Sequence, residues 1–346
     1  MFDLLSLLAQ VESRIRPPVG IILGSPHQAA DLVARLPAGV VTCYQLDLYL
    51  ADRLREQIAE IGQDAQVVTL PDLWDLPPTF NTLIFPNNAH GERELKLDLL
   101  EQSFHALQPG GMLLTLSEYQ KDQVIPKWHK KVFGKCSELP PTRKGSIFWS
   151  IREGERPKRR HEITFHARIG EGPSHSFISR PGVFSYGSMD MGARALVECA
   201  AILPEDRILD LGCGVGTNGV LAMDRAGPEG HVTFLDSNVR AAAVAEINAR
   251  ANGLTSFKTV AAYSANSLPR RWFDVVLANP PYYANSTISR RFIEESRPLL
   301  REGGRFYLVT KQVRESAPIV VEVFGEAVVH EHRRYGVLEA MIPETL

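Results

Sequence analysis

The sequence predicts an α/β chain built as two tandem copies of one doubly wound unit, and three observations predict it. First, FNTLIFPNNAHGERELKLDLLEQSFHALQPGGMLLTL (80–116) aligns without a gap to FDVVLANPPYYANSTISRRFIEESRPLLREGGRFYLV (273–309) at an offset of 193. Phe80 falls on Phe273, Leu107 on Leu300, and the pair Gly110, Gly111 on Gly303, Gly304. Second, VFGKCSELPPTRKG (132–145) keeps its Val, Phe and Gly ends in VFGEAVVHEHRRYG (323–336) at an offset of 191. Third, each copy alternates short apolar runs with longer periodic segments, the rhythm of a parallel sheet with helices on both faces. A chain of 346 residues is long enough for two such domains.

In order along the chain, MFDLLSLLAQVESRIR has apolar residues at 4, 5, 7 and 8, the spacing of an amphipathic helix. Asp3 stands where a secretion signal carries lysines, so a cytoplasmic protein is expected. The first copy spans 1–155, a basic linker 156–179, and the second copy 180–346. In the second copy the apolar runs predict strands near 206–211, 231–236, 257–261, 273–278, 305–310 and 336–342. Helices are predicted near 192–202, 215–226, 238–252 and 287–300. No run reaches about 18 apolar residues, so no membrane span is expected.

Forty acids nearly balance 38 bases, with 44% hydrophobic and 23% charged residues. That composition excludes a disordered chain and confines any nucleic-acid site to a local patch. Cys43, Cys136, Cys199 and Cys213 form no CxxC pair, which argues for reduced thiols and against a zinc ribbon. The histidines include no HExxH, and His330-Glu331-His332 reads as a strand, so no metal site is expected.

The strand-turn-helix RILDLGCGVGTNG (207–219) brings Gly212, Gly214 and Gly216 to a tight turn where backbone can approach a ligand. GVGTNG also matches the GxGxxG dinucleotide pattern. Asp210 tilts the reading away from that, since a carboxylate suits an ammonium or hydroxyl and repels a pyrophosphate. Asp236 ends the next strand, where an acid can hold both ribose hydroxyls or serve as a helix N-cap; this feature fits either cofactor class. Cys213 reads as a small spacer between the glycines.

After FDVVLA come Asn279, Pro280, Pro281 and Tyr282. Two prolines fix a rigid turn at the carboxyl end of a strand, where α/β sheets bind ligands. An Asn carbonyl with the next backbone carbonyl can grip both hydrogens of an exocyclic amine, and Tyr282 can stack on a planar substrate. Such catalysis is mostly positioning.

DLGCGxG, an acid ending the next strand and NPPY together resemble the class I S-adenosylmethionine-dependent methyltransferases that modify amino nitrogens. RPGVFSYGSMDMGARAL (180–196) is similar to the segment before the cofactor strand in ribosomal RNA guanine-N2 methyltransferases of the RsmC/RlmG type, a resemblance that covers essentially the whole chain. It implies two Rossmann-like methyltransferase domains, the N-terminal one degenerate and the C-terminal one catalytic. The implied cofactor is S-adenosyl-L-methionine, held by Phe184, Asp190, Gly192, Asp210, Gly212, Gly214, Gly216, Asp236, Tyr263 and Asn279. The implied acceptor is the N2 amine of a guanine in ribosomal RNA or a ribosomal subunit, the small subunit favoured over the large, with Asn279, Pro280, Pro281 and Tyr282 catalytic. Tyr263 would lie near the adenine, unless it is a solvent-facing loop residue. Two departures bear on the target nucleotide. Tyr282 and Tyr283 replace an aromatic-histidine pair, and Thr310-Lys311-Gln312 stands where an alanine-asparagine pair is usual.

In the first copy Pro86 falls on Asn279, LGSPHQAA (23–30) replaces the glycine turn, and Tyr44 or Gln45 stands near the place of Asp236. A packing and docking role is therefore expected for it. Basic clusters at 156–161, 127–131, Arg290-Arg291 and Arg333-Arg334 are candidate phosphate contacts or plain solvated charge. Two tandem domains make a monomer the default. The competing readings are methyl transfer to adenine N6 or to protein glutamine, a non-catalytic RNA-binding or assembly factor, and a nicotinamide-dependent dehydrogenase.

Overall fold

A computed structural model describes residues 3–37, 41–281 and 286–344, which form two compact units, one ending at His161 and the other starting at Glu162. The first unit runs α1 (Leu4–Ala9), β1 (Val19–Ile22), α2 (Pro26–Arg35), β2 (Val41–Gln45), α3 (Leu48–Glu60), β3 (Gln66–Thr69), β4 (Phe80–Asn87), α4 (Arg93–Ala106), β5 (Leu107–Ser117), α5 (Ile125–Phe133), β6 (Ser137–Glu138) and β7 (Ser146–Ile151). The second begins with a hairpin, β8 (Ile163–Ala167) and β9 (His175–Ser179). It continues as α6 (Met191–Cys199), β10 (Arg207–Leu211), α7 (Thr217–Ala226), β11 (His231–Asp236), α8 (Val239–Ala251), β12 (Phe257–Ala261), β13 (Phe273–Ala278), α9 (Ser286–Ser296), β14 (Leu300–Thr310), α10 (Val313–Phe324), β15 (Val328–His332) and β16 (Tyr335–Met341).

The two main sheets have one strand order. It is β3-β2-β1-β4-β5-β7-β6 in the first unit and β12-β11-β10-β13-β14-β16-β15 in the second, so the strands joined by the internal repeat occupy the same places. Pairing is parallel up to β5 and β14, and antiparallel beyond them. The sequence explains why both faces are covered. Along β10 and β13, Ile208, Val275 and Leu277 enter one apolar core and Leu209, Leu211, Val276 and Ala278 the other. Strands buried on both faces read as continuous apolar runs, which is how the sequence reveals them. A buried ion pair ties β14 to the turn before β10: Arg305 donates to both carboxylate oxygens of Asp206 at 2.7 and 2.8 Å and to the Ala201 carbonyl at 2.9 Å.

Each strand and helix expected in the second copy is present, and His330-Glu331-His332 lies on β15. The expected N-terminal helix is α1, which buries Leu4, Leu7 and Leu8 and is capped by Asp3.

The expected linker over 156–179 is a correction. Its second half is the β8–β9 hairpin of the second unit, fastened to α8 where Asn248 and Asn252 accept from the Ile178 and Ser176 amides at 2.8 and 3.0 Å. Its first half is strapped to the first unit. Arg156 and His161 both reach the buried Glu101, at 3.3 and 2.7 Å, Arg160 reaches the buried Asp72 at 3.3 Å, and Lys158 lies over the Trp74 ring. The hydrogen bond from His161, with the nearby charges of His161, Arg156 and Lys131, holds the Glu101 carboxyl below the usual carboxylate range despite its burial. Most of this basic run is thus engaged in holding its own unit together. The other clusters are partly engaged as well: Arg290 pairs with Glu294 and Glu322, Arg333 with Glu198, and Lys131 covers Trp128.

Candidate active site

The site is built at the carboxyl ends of β10, β11 and β13. Parallel register sets Asp210 opposite Phe234 and Leu277, so the strand ends, and the turns that follow them, lie side by side. Gly212, Gly214 and Gly216 carry the chain from β10 into α7 with φ of 72°, 54° and 85°. At Gly214 the absence of a side chain is required twice over. The conformation is left-handed, and a Cβ would sit 1.9 Å from the Phe184 carbonyl oxygen. That oxygen accepts from the Val215 amide at 2.8 Å. The turn therefore grips the segment that precedes α6.

The same segment is held at further points. Asn238 donates to the Gly182 carbonyl at 2.7 Å, and the fully buried Arg240 donates to the Pro181 carbonyl at 2.6 Å. Asn248 donates to the Val215 carbonyl at 2.8 Å. None of these residues was singled out from the sequence. The only signal was the LDSN run after β11, where Asn238 and not Asp236 caps α8, accepting from the Arg240 and Ala241 amides.

Asp236 is instead a loop organiser at the end of β11. One carboxylate oxygen accepts from the Gly214 amide and the other from the Asn238 amide, each at 2.8 Å. Tyr263 is half-buried two residues beyond Ala261, the strand partner of Asp236, which brings it to the same corner. Phe184 has its side chain half exposed and touches the turn through its carbonyl.

Asp210 is fully buried. Its Oδ2 accepts from the Gly219 amide at 2.9 Å, while Oδ1 has no hydrogen-bond partner among the described residues. Burial pushes its carboxyl up to about 7; the Gly219 amide and Asn218 side chain oppose the rise, and the charge of Asp236 adds to it. The α7 N-terminus beside it has Gly216 at the cap, which offers no side chain of its own, and Asp210 takes the Gly219 amide of the first turn. Burial and the charges of Asp236 and Asp210 push the Cys213 thiol well up, so it remains protonated and is no nucleophile.

At the end of β13, Asn279 and Pro280 are buried. The Asn279 amide nitrogen lies 3.3 Å from Oδ2 of Asp190, which also caps α6 by accepting from the Ala193 amide at 2.8 Å. Gly192 is buried in the first turn of α6. The atom of Asn279 that faces Asp190 is its side-chain NH2, which donates to the carboxylate oxygen. Tyr282 and Tyr283 lie outside the described residues. The remaining predicted residues gather at one end of one sheet. Among the described residues no helix is long and apolar enough to cross a membrane, and no group of three or more His, Cys, Asp or Glu could hold a metal.

Residues 174–339 match the family model described as the methyltransferase small domain. Ribosomal RNA small subunit methyltransferase C of Pseudomonas putida (strain GB-1) is 26% identical over 319 residues, covering 90% of each chain. The protein of the same name from Pseudomonas paraeruginosa is 28% identical over 241 residues, covering 67% of this chain and 71% of that one. Over most of its length the chain is similar to methyltransferases of the RsmC type. The likeness in fold extends over both units. The solved Thermus thermophilus 16S rRNA N2 G1207 methyltransferase (RsmC), in complex with AdoMet and guanosine, superposes with a TM-score of 0.75 at 20% identity, covering 97% of this chain and 92% of that one.

Substituting Gly214 tests the grip on the segment before α6. Gly214→Ala forces the Phe184 carbonyl or the turn to move and is expected to cost roughly 1–3 kcal/mol in chemical denaturation. A variant as stable as the parent, with unchanged proteolysis of 180–190, would contradict this geometry.

Proposed function

We propose that the second unit transfers the methyl group of S-adenosylmethionine to the exocyclic N2 amine of a guanine in ribosomal RNA of the small subunit. The observation that carries the reading is the Asp190–Asn279 hydrogen bond, because it sets the Asn279 side chain in one orientation at the carboxyl end of β13, its nitrogen toward Asp190. The relatives named small subunit methyltransferase C, matched over 90% of both chains, support the substrate class.

The residues at the strand ends fit the cofactor. Asp236 offers a carboxylate for the ribose hydroxyls, the glycine turn leaves room for close backbone contact, and Tyr263 stands at the adenine corner. Asp210, with a buried oxygen that has no hydrogen-bond partner among the described residues, is the acid for the methionine ammonium, directly or through water. S-adenosylmethionine supplies the electrophilic methyl group. Everything else is positioning. The Asn279 carbonyl and the Pro280 backbone carbonyl take the two amine hydrogens and turn the nitrogen lone pair toward the methyl carbon. Carbon–sulfur bond breaking accompanies carbon–nitrogen bond formation, and the methylated amine gives one proton to solvent. A paired guanine must be flipped out of its helix to reach Asn279.

The first unit is read as a degenerate copy kept for docking. By strand register Ile21 takes the place of Asp210 and Gln45 that of Asp236; Gln45 donates to the Gly24 carbonyl at 3.2 Å and gives no ribose clamp. The α2 N-terminus is closed by its own Ser25–Gln28 capping box, and Gln28 and Asn88 exchange two amide hydrogen bonds at 2.9 and 3.0 Å. Those contacts occupy donors that a cofactor would need. A monomer working in the cytoplasm accords with this reading.

Asn279→Ala is expected to lower kcat/KM about 1,000-fold or more while the cofactor Kd changes less than about 3-fold. Asp190→Asn keeps a helix-capping side chain but frees the Asn279 amide to turn over. Its kcat should fall about 10–100-fold with the melting temperature and RNA KM little changed. Unchanged turnover in Asn279→Ala overturns the mechanism.

The raised Asp210 pKa, about 7, sets a pH dependence. The ionised form holds a cationic ligand, so cofactor binding should tighten as pH rises from about 6 to 8, with a proton released on binding. Calorimetry in buffers of different ionisation heat should show that release in the parent and not in Asp210→Asn.

A further inference from the structure

The first unit contains a cavity of about 440 Å³ at the carboxyl ends of β4 and β5, a volume typical of small-molecule sites. The internal repeat sets Pro86 and Asn87 on Asn279 and Pro280, so this cavity stands where the second copy keeps its amine-binding turn. The methyl-transfer residues are gone from it, yet it is not filled in.

Its wall is cationic. Arg93, Lys96 and Lys121 line it, against one acid, Asp122. Both oxygens of Asp122 are committed to the wall itself. Oδ2 accepts from Asn87 Nδ2 and Ser117 Oγ at 2.9 and 2.7 Å, and Oδ1 from the Val124 and Ile125 amides at 2.9 and 3.0 Å. Lys96 is half-buried with its ammonium on the Asn88 carbonyl, and burial lowers its pKa although Asp122 and Glu118 oppose the change. A cation held partly out of water gains from a counter-charge brought by a ligand. Among the described residues Arg93 pairs with Glu94 alone, at 3.5 Å, and is exposed. The first residues of α4 and α5, Arg93 and Ile125, also line the space, so two helix amino ends add to the positive potential.

The remaining wall feature is aromatic. Tyr119 is 44% exposed, and its hydroxyl donates to the Ala89 carbonyl at 3.0 Å, which fixes the ring at the edge of the cavity. Cations beside a fixed aromatic ring are the pairing that takes a phosphate together with a base.

We propose that this cavity binds a nucleotide, its phosphate on Arg93, Lys96 and Lys121 and its base against Tyr119. The inference deepens the reading of the first unit as a docking module and rests on RNA being the substrate. The nucleotide can be one residue of the bound RNA or a free mononucleotide, and these sources differ in what the cavity does. The first anchors the substrate; the second makes the cavity a sensor.

Two full-length variants test it, Arg93→Glu/Lys121→Glu and Tyr119→Ala, all at exposed positions outside the methyl-transfer residues. Lys121→Glu alone serves as a milder variant should the double one melt early. One arm measures initial rates of methylation of undermethylated small ribosomal subunits, and the other titrates adenosine 5′-monophosphate by calorimetry. If the nucleotide belongs to the RNA, KM for subunits rises about 10-fold in both variants and kcat changes less than about 2-fold. If it is free, the monophosphate binds the parent and loses about 10-fold or more in affinity in both variants, with subunit kinetics unchanged. No change in either arm overturns the proposal. A parent protein that methylates no subunit would refute the proposed function instead, and the monophosphate arm would still decide whether the cavity takes a nucleotide.

Discussion

The close approach of the Phe184 carbonyl to the glycine turn is the contact on which the rest of the site depends. With no side chain at Gly214 the carbonyl reaches the Val215 amide, and the chain from Arg180 to Asp190 is laid across the carboxyl ends of β10 and β11. Asp236 supports the turn from below through the Gly214 amide, and Asn238 and Arg240 hold the Gly182 and Pro181 carbonyls. This fastening brings Asp190 to Asn279, although they are 89 residues apart. The Asn279 amide is thus oriented by the segment laid across these strand ends.

The duplication shows how little of a fold depends on its chemistry. Both units keep one strand order and two apolar cores, because those depend on alternating apolar residues and on turns. The strand-end residues are free of that demand. Ile21 for Asp210, Gln45 for Asp236 and Pro86 for Asn279 each preserve the sheet while changing the side chain at a strand end. Gln28 and Asn88 then close the gap with paired amides.

Much of this was legible in the sequence because the second copy writes its strands as apolar runs ending in an acid or in NPP. Gly212, Gly214, Asp210, Asp236 and Asn279 all proved to stand at neighbouring strand ends. The β8–β9 hairpin was missed since its strands are short and mixed with His, Ser and Thr, leaving little alternation to detect. Helix α10 was missed because its run of β-branched residues and Pro318 argue against helix, and packing overrode that preference. The basic run at 156–161 looked like a linker because charge in a sequence does not reveal its partners; Glu101 and Asp72 supply them from far along the chain. The Asp190–Asn279 contact could not be read from local pattern at all, since only the folded sheet and the docked segment bring the two together.

The proposed reaction is methylation of a guanine amine of the small ribosomal subunit. The most direct measurement incubates the protein and S-adenosylmethionine with undermethylated small and large subunits, digests the RNA, and identifies methylated nucleosides by mass spectrometry. N2-methylguanosine is expected from the small subunit alone. A methyl group on adenine or on protein, or none on any nucleoside although the cofactor binds, would contradict it.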